Sequence, residues 1–146
     1  MNASEPESKA IYLFCFTRPD IHVEGMGIDD ETPLFLHSFE GIGAVISRVS
    51  LDDFTGPDAE ERMRDVEWIG PRALRHGRVI EQVMRSSPVF PARFGTIFTS
   101  METLERAMSM RLGPVKEFLD LAETRDEWAV KAFLDVERMR KELFAS

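Results

Sequence analysis

The run Pro88-Val89-Phe90-Pro91-Ala92-Arg93-Phe94-Gly95-Thr96-Ile97-Phe98 sets two prolines, an arginine and a glycine inside what otherwise reads as a core strand. A central strand rejects that composition, because each proline removes a ladder donor. The segment is therefore expected at a sheet edge or entry, with Pro88 and Pro91 where no amide donor is required and Gly95 at a sharp bend. Arg93, held between Pro91 and Phe94, needs a carboxylate or carbonyl partner if that stretch is buried. Glu67, Glu127 and Asp135 are the candidates, and the expectation is a structural ion pair tying strand to helix, with direct contact to a partner protein as the alternative.

The first apolar block, Ala10 to Phe16, follows a polar leader expected to be disordered over residues 1–9. Simple alternation puts Tyr12, Phe14 and Phe16 on one side of this strand and Ile11, Leu13 and Cys15 on the other, so it belongs at a sheet centre covered on both faces. A Gly- and Asp-rich loop, Thr17 to Pro33, leads to two short strands, Leu34 to Phe39 and Gly43 to Val49. These form a hairpin turning near Gly41. After a loop from Ser50 to Pro57, Asp58 is a potential cap for a helical region of residues 59–85 that carries Met63, Val66, Ile69, Ala73, His76, Ile80 and Val83 on one face. Gly70-Pro71 is expected to kink or restart it.

Beyond the proline-rich run, Ser100 caps a helix with Met101, Leu104, Met108 and Leu112 on one side, and the pattern resumes after Gly113-Pro114 at Val115, Phe118, Leu119 and Ala122. Trp128 to Leu134 reads as a late strand, and Asp135 to Phe144 as a short helix or tail. Strand, hairpin, helix, strand, helix, strand gives an α+β fold: a mostly antiparallel sheet with helices packed on one face, a ferredoxin-like variant with an extra hairpin strand. Residues 10–146 form one domain, which at this length needs no disulfide or metal staple.

Charge and composition exclude several function classes. A net charge of -8 repels phosphate backbones, and no basic cluster is dense enough to offset it, so nucleic acid is not an expected partner. No stretch approaches the roughly 20 apolar residues needed to cross a bilayer, and the polar N-terminus is not a signal sequence, so no membrane is expected and the location is cytoplasmic. The single cysteine, Cys15, reads as a small buried hydrophobe.

No residue set assembles into recognisable chemistry. His22, His37 and His76 lack ligand spacing, and Asp29-Asp30-Glu31 lacks the glycine and terminal glutamate of a calcium loop. No metal or cofactor is therefore expected. His76 lies on an apolar helix stripe and is read as a packing histidine. Trp68 lies away from the Met63-Val66-Ile69 stripe, which marks a second contact surface or packing beneath the Ser50 to Pro57 loop. The partner-binding or structural candidates are accordingly Trp68, His76, Arg93 and Phe94. The competing reading is a small enzyme or ligand-binding domain that uses His76 and Arg93 around a pocket between sheet and helices.

A proline-flanked apolar triplet followed by Arg93-Phe94-Gly95-Thr96 and a further apolar pair resembles the gas vesicle protein F/L family. Three more blocks resemble it in order and spacing: the aromatic strand Ile11 to Phe16, the helix bearing Trp68 and His76, and Glu127 to Lys131. The resemblance spans about residues 10–135 and corresponds to the family's N-terminal domain. It implies a non-enzymatic gas vesicle accessory protein, either a minor component or an assembly factor that binds the hydrophobic shell protein. Its partners would be that shell protein and other gas vesicle accessory proteins. Family members carry a second α+β domain after this region, whereas this chain ends at Ser146. A surface left uncovered by that absence would favour self-association into a homo-oligomer.

Overall fold

In the computed structural model, which describes residues 9–124, 137–139 and 141, the expected central strand is β1 (Lys9–Thr17), and all of it beyond Lys9 is buried. β2 (Phe35–Phe39) and β3 (Ile42–Ser50) form the expected hairpin. Its two turn residues, Glu40 and Gly41, both have positive φ, the conformation that matches a tight turn to the twist of the flanking strands. β3 pairs antiparallel with β1, and the other side of β1 pairs antiparallel with two short strands, β4 (Phe90–Pro91) and β5 (Ile97–Phe98). The order is β2-β3-β1-β4, with β5 also on β1. The proline-rich run therefore lies at the edge of the described strands.

Sequence alternation along β1 fails at one point, with a physical cause. Leu13 pairs with Ile46 and Cys15 with the adjacent Val45, so Phe14 is an extra residue, a β-bulge. Phe14 and Cys15 both join the core that contains Tyr12, while Phe16 crosses to join Ile11 and Leu13. Phe16 thus lies opposite to the face that strict alternation assigns it.

The α+β, mostly antiparallel architecture is as expected, but the helices divide between two faces instead of gathering on one. Tyr12, Phe14, Val45 and Val49 pack against Val79 and Val83 of α3 (Val66–Met84) and against Ile28 and Leu34 of the long loop. Ile11, Leu13, Phe16, Ala44 and Ile46 pack against Leu104 and Met108 of α4 (Met101–Met110) and Val115 and Leu119 of α5 (Leu112–Thr124). A central strand apolar on both sides makes this division necessary, because either face left open would expose a row of Phe, Ile and Leu to water.

The loop from β1 to β2 packs against the sheet at Gly27, Ile28 and Leu34. Gly27 lies so near β3 that a Cβ there would meet the Ser47 side chain at 2.3 Å. The buried Ser47 hydroxyl has no hydrogen-bond partner among the described residues.

Helix boundaries differ from the sequence reading in two places. Ser50 to Pro57 is not wholly loop, since it opens with a helical turn, α1 (Leu51–Phe54), followed by α2 (Ala59–Arg62). The break in the following helix falls before Val66 and not at Gly70-Pro71: Asp65 caps α3 by accepting from the Glu67 amide at 3.0 Å, and Pro71 is carried inside the helix. Asp58 makes no side-chain cap. Ser100 does cap α4, accepting from the Thr103 amide at 3.1 Å while Thr103 Oγ1 accepts from the Ser100 amide at 3.2 Å. α5 restarts at Leu112 with Pro114 in its first turn, where proline lacks no needed donor. The expected late strand, Trp128 to Leu134, lies outside the described residues, as does most of the expected leader.

Candidate functional site

β4 and β5 are halves of one strand at the edge of the described sheet, parted by a turn that leaves the sheet over residues 92–96. Ala92 N–H donates to the Phe14 carbonyl at 3.0 Å before the departure, and Leu13 N–H donates to the Thr96 carbonyl at 3.0 Å after the return. Gly95 has φ +88°, which favours glycine and forms the bend that the sequence predicts.

The turn is anchored from beneath by Tyr12 and His76. Gly95 N–H donates to the Tyr12 hydroxyl at 3.0 Å, and that hydroxyl lies 2.8 Å from His76 Nδ1. His76 Nε2 lies 2.9 Å from the Ala92 carbonyl, which can only accept. One proton arrangement satisfies every group: His76 is neutral with its hydrogen on Nε2, and Tyr12 donates to Nδ1 while accepting from Gly95. Burial disfavours the charged form and lowers the His76 pKa, opposed by the bond to Ala92. Burial likewise raises the Tyr12 pKa, opposed by the Gly95 amide.

Aromatic contacts close the cluster. The Tyr12 ring lies 4.8 Å from Phe14, 5.5 Å from Phe54 and 6.2 Å from Phe94, and His76 lies edge-on to Phe94 at 5.9 Å. Phe94 is half-buried here, tying the turn to the core. Trp68 joins at the periphery, edge-on to Phe54 at 5.7 Å, so it packs beneath the segment after β3, the alternative its helical position allowed. The Arg72 guanidinium covers its ring at 4.1 Å, a cation–π contact.

Arg93 departs from expectation. Its side chain is exposed, and among the described residues it forms no ion pair; Glu67 is exposed elsewhere, and Glu127 and Asp135 lie outside the described residues. The turn carries Arg93 to the far side of the edge, where it lines a cavity with Phe98 and Arg111. His76 does not line that cavity. The two side chains on which an enzymatic site would depend therefore do not converge, and both ring nitrogens of His76 are already occupied.

Asp29 and His37, also weighed from sequence, have structural partners. Asp29 Oδ1 accepts from the Glu31 and Thr32 amides at 2.9 and 3.0 Å and from the Thr32 hydroxyl at 3.0 Å. Burial opposes ionisation of Asp29, but these bonds outweigh it and lower the carboxyl pKa. His37 Nε2 lies 2.7 Å from Glu105, linking β2 to α4. Burial pushes the Cys15 thiol up to about 12, in keeping with a packing role. Among the described residues, no group of three or more His, Cys, Asp and Glu side chains is placed to hold a metal ion, and no helix is long and apolar enough to cross a membrane.

Sequence reasoning missed Tyr12 as the centre of the network. The available signal was a lone tyrosine in an otherwise apolar strand, whose hydroxyl must find a partner once buried. It also missed Arg18, which pairs with Asp120 at 2.9 Å and with Glu123, joining the end of β1 to α5.

Residues 10–146 match the family described as "Gas vesicle synthesis protein GvpL/GvpF". Over 127 residues the chain is 26% identical to "Gas vesicle protein L" of Streptomyces sp. (strain CB03234), covering 85% of this chain and 47% of that protein. The chain thus spans about half the length of this curated relative. Its fold is similar to the crystal structure of the gas vesicle protein GvpF from Anabaena sp. PCC7120, with a TM-score of 0.59 and 15% identity over 95% of this chain and 59% of that one. At that identity the likeness speaks for the fold alone.

Proposed function

Because the chain belongs to the gas vesicle synthesis protein GvpL/GvpF family, we propose that it acts as an accessory protein of gas vesicle formation, a minor component or assembly factor that binds the hydrophobic shell protein. The match across residues 10–146 carries this reading. Surface character supports it. Met26, Met84, Met110 and Met139 are exposed, together with Val66, Leu74, Phe118 and Leu121. Methionine is unbranched and adapts to irregular apolar partners, which suits a protein that must cover shell subunits before they polymerise. The net charge of -8 would help keep such a complex dispersed. The same reading assigns the chain to the gas vesicle and the cytoplasm around it, with other accessory proteins as further partners and self-association through exposed apolar surface.

The test is co-expression with a gas vesicle shell protein followed by affinity capture, with an unrelated acidic domain as control bait. Specific retention of the shell protein is expected. Capture no better than the control would overturn shell binding by this chain. Because Trp68 supports Phe54 inside the fold, a Trp68→Ala variant informs on binding only once its folding has been verified.

A further inference from the structure

The detour of residues 92–96 has a counterpart on the opposite face of the sheet. The chain bends there so that Gly95 reaches Tyr12, which belongs to the core under α3. On the α4 side of the sheet, beside the turn, lies a cavity of about 530 Å3, whose lining includes Leu13, Phe16, Phe90 and Phe98. That volume falls within the range of about 300–1,000 Å3 typical of binding pockets.

Two arginines complete the lining, Arg93 from the turn and Arg111 from the end of α4, and among the described residues no carboxylate contributes. Both are exposed, and neither makes an ion pair among the described residues. On a chain with net charge -8, this is a local reversal of sign over an aromatic floor. Guanidinium groups are more weakly hydrated than ammonium groups and take a carboxylate in paired, directional hydrogen bonds.

We infer that this cavity docks a peptide segment of a partner protein in which a carboxylate side chain is flanked by large apolar ones. The apolar side chains fill the space over Phe16, Phe90 and Phe98, and the carboxylate meets Arg93 and Arg111. This inference rests on the reading that the chain binds the shell protein, and it names the chemistry of the segment taken.

Fluorescein-labelled peptides tiling the shell protein, titrated with the purified full chain and followed by anisotropy, test it. Peptides with Asp or Glu between large apolar residues should bind, and less tightly at high salt. An Arg93→Gln/Arg111→Gln double variant should melt as the wild type does, since both side chains are exposed, yet bind those peptides at least about tenfold more weakly. Replacing the peptide carboxylate by its amide should cause a similar loss with the wild type and little further loss with the double variant. Equal binding by the double variant overturns the inference, as does the absence of any binding peptide when the intact shell protein is captured. Failure of wild-type capture in co-expression would instead count against the broader reading.

Discussion

Replacing Tyr12 by Phe removes one oxygen and disturbs both anchors of the 92–96 turn. The ring contacts to Phe14, Phe54 and His76, at 4.8, 5.5 and 5.6 Å, are retained, so apolar burial changes little. Two hydrogen bonds are lost: the buried one to His76 at 2.8 Å and the half-buried one from Gly95 at 3.0 Å. Each contributes about 1 kcal/mol net, and the His76 nitrogen left without a partner in the core costs about 1 kcal/mol more, whereas the Gly95 amide can recruit water. The expected loss is about 2–3 kcal/mol. For a chain of this length, that corresponds to a melting point lower by roughly 4–12 °C. Urea unfolding should show a lower midpoint at unchanged slope, because the area exposed on unfolding is the same. Repeating the substitution in a His76→Phe background should recover about 1 kcal/mol of coupling. A loss below about 0.5 kcal/mol in the single variant would refute the claim that this hydroxyl holds the edge in place.

Two further outcomes follow from the same groups and their surroundings. His76 is held neutral and its pKa is lowered by burial, so the folded state binds fewer protons than the unfolded one; its stabilising effect is full above about pH 6.5 and is lost as pH falls towards the depressed folded value. Urea midpoints measured across this window should fall more steeply for wild type than for His76→Gln, and parallel curves would contradict the neutral assignment. The Ser47 hydroxyl is buried beneath Gly27 without a partner among the described residues, so Ser47→Ala should be neutral or stabilising by up to about 1 kcal/mol in thermal melts, and a comparable loss would mean that the hydroxyl is satisfied.

Features written in local chemistry were legible from sequence. The prolines at 88 and 91 put the run at the edge of the described strands, Gly95 fixed the bend, Ser100 marked a helix start and Glu40-Gly41 formed a tight turn. Each depends on one or two residues and their immediate neighbours. What escaped depends on tertiary placement. Asp58 and Asp65 precede different helices, α2 and α3, and only Asp65 reaches an amide with its side chain, that of Glu67; propensity alone does not rank the two. Arg93 was expected inside because its neighbours are apolar, yet in a turn adjacent side chains diverge: Phe94 goes in and Arg93 goes out. His76 is buried on its helix, and its partners lie 64 positions away at Tyr12 and 16 away at Ala92, separations that no spacing rule encodes. The division of helices over two faces was implicit in the doubly apolar β1, and it required taking that strand as evidence for two cores.

The extra residue at Phe14 makes the length of β1 a constraint of its own kind. One strand serves two cores, and the bulge is where its side chains exchange sides. Substituting one large apolar residue for another here alters packing locally, but deleting a single residue after the bulge would send every side chain downstream to the wrong core, up to Thr17 and its pairing with Gly43. Among relatives as divergent as 26% identity, this strand should therefore tolerate changes of letter far more readily than changes of count, and an alignment gap placed within it would be physically wrong even where it improved the score.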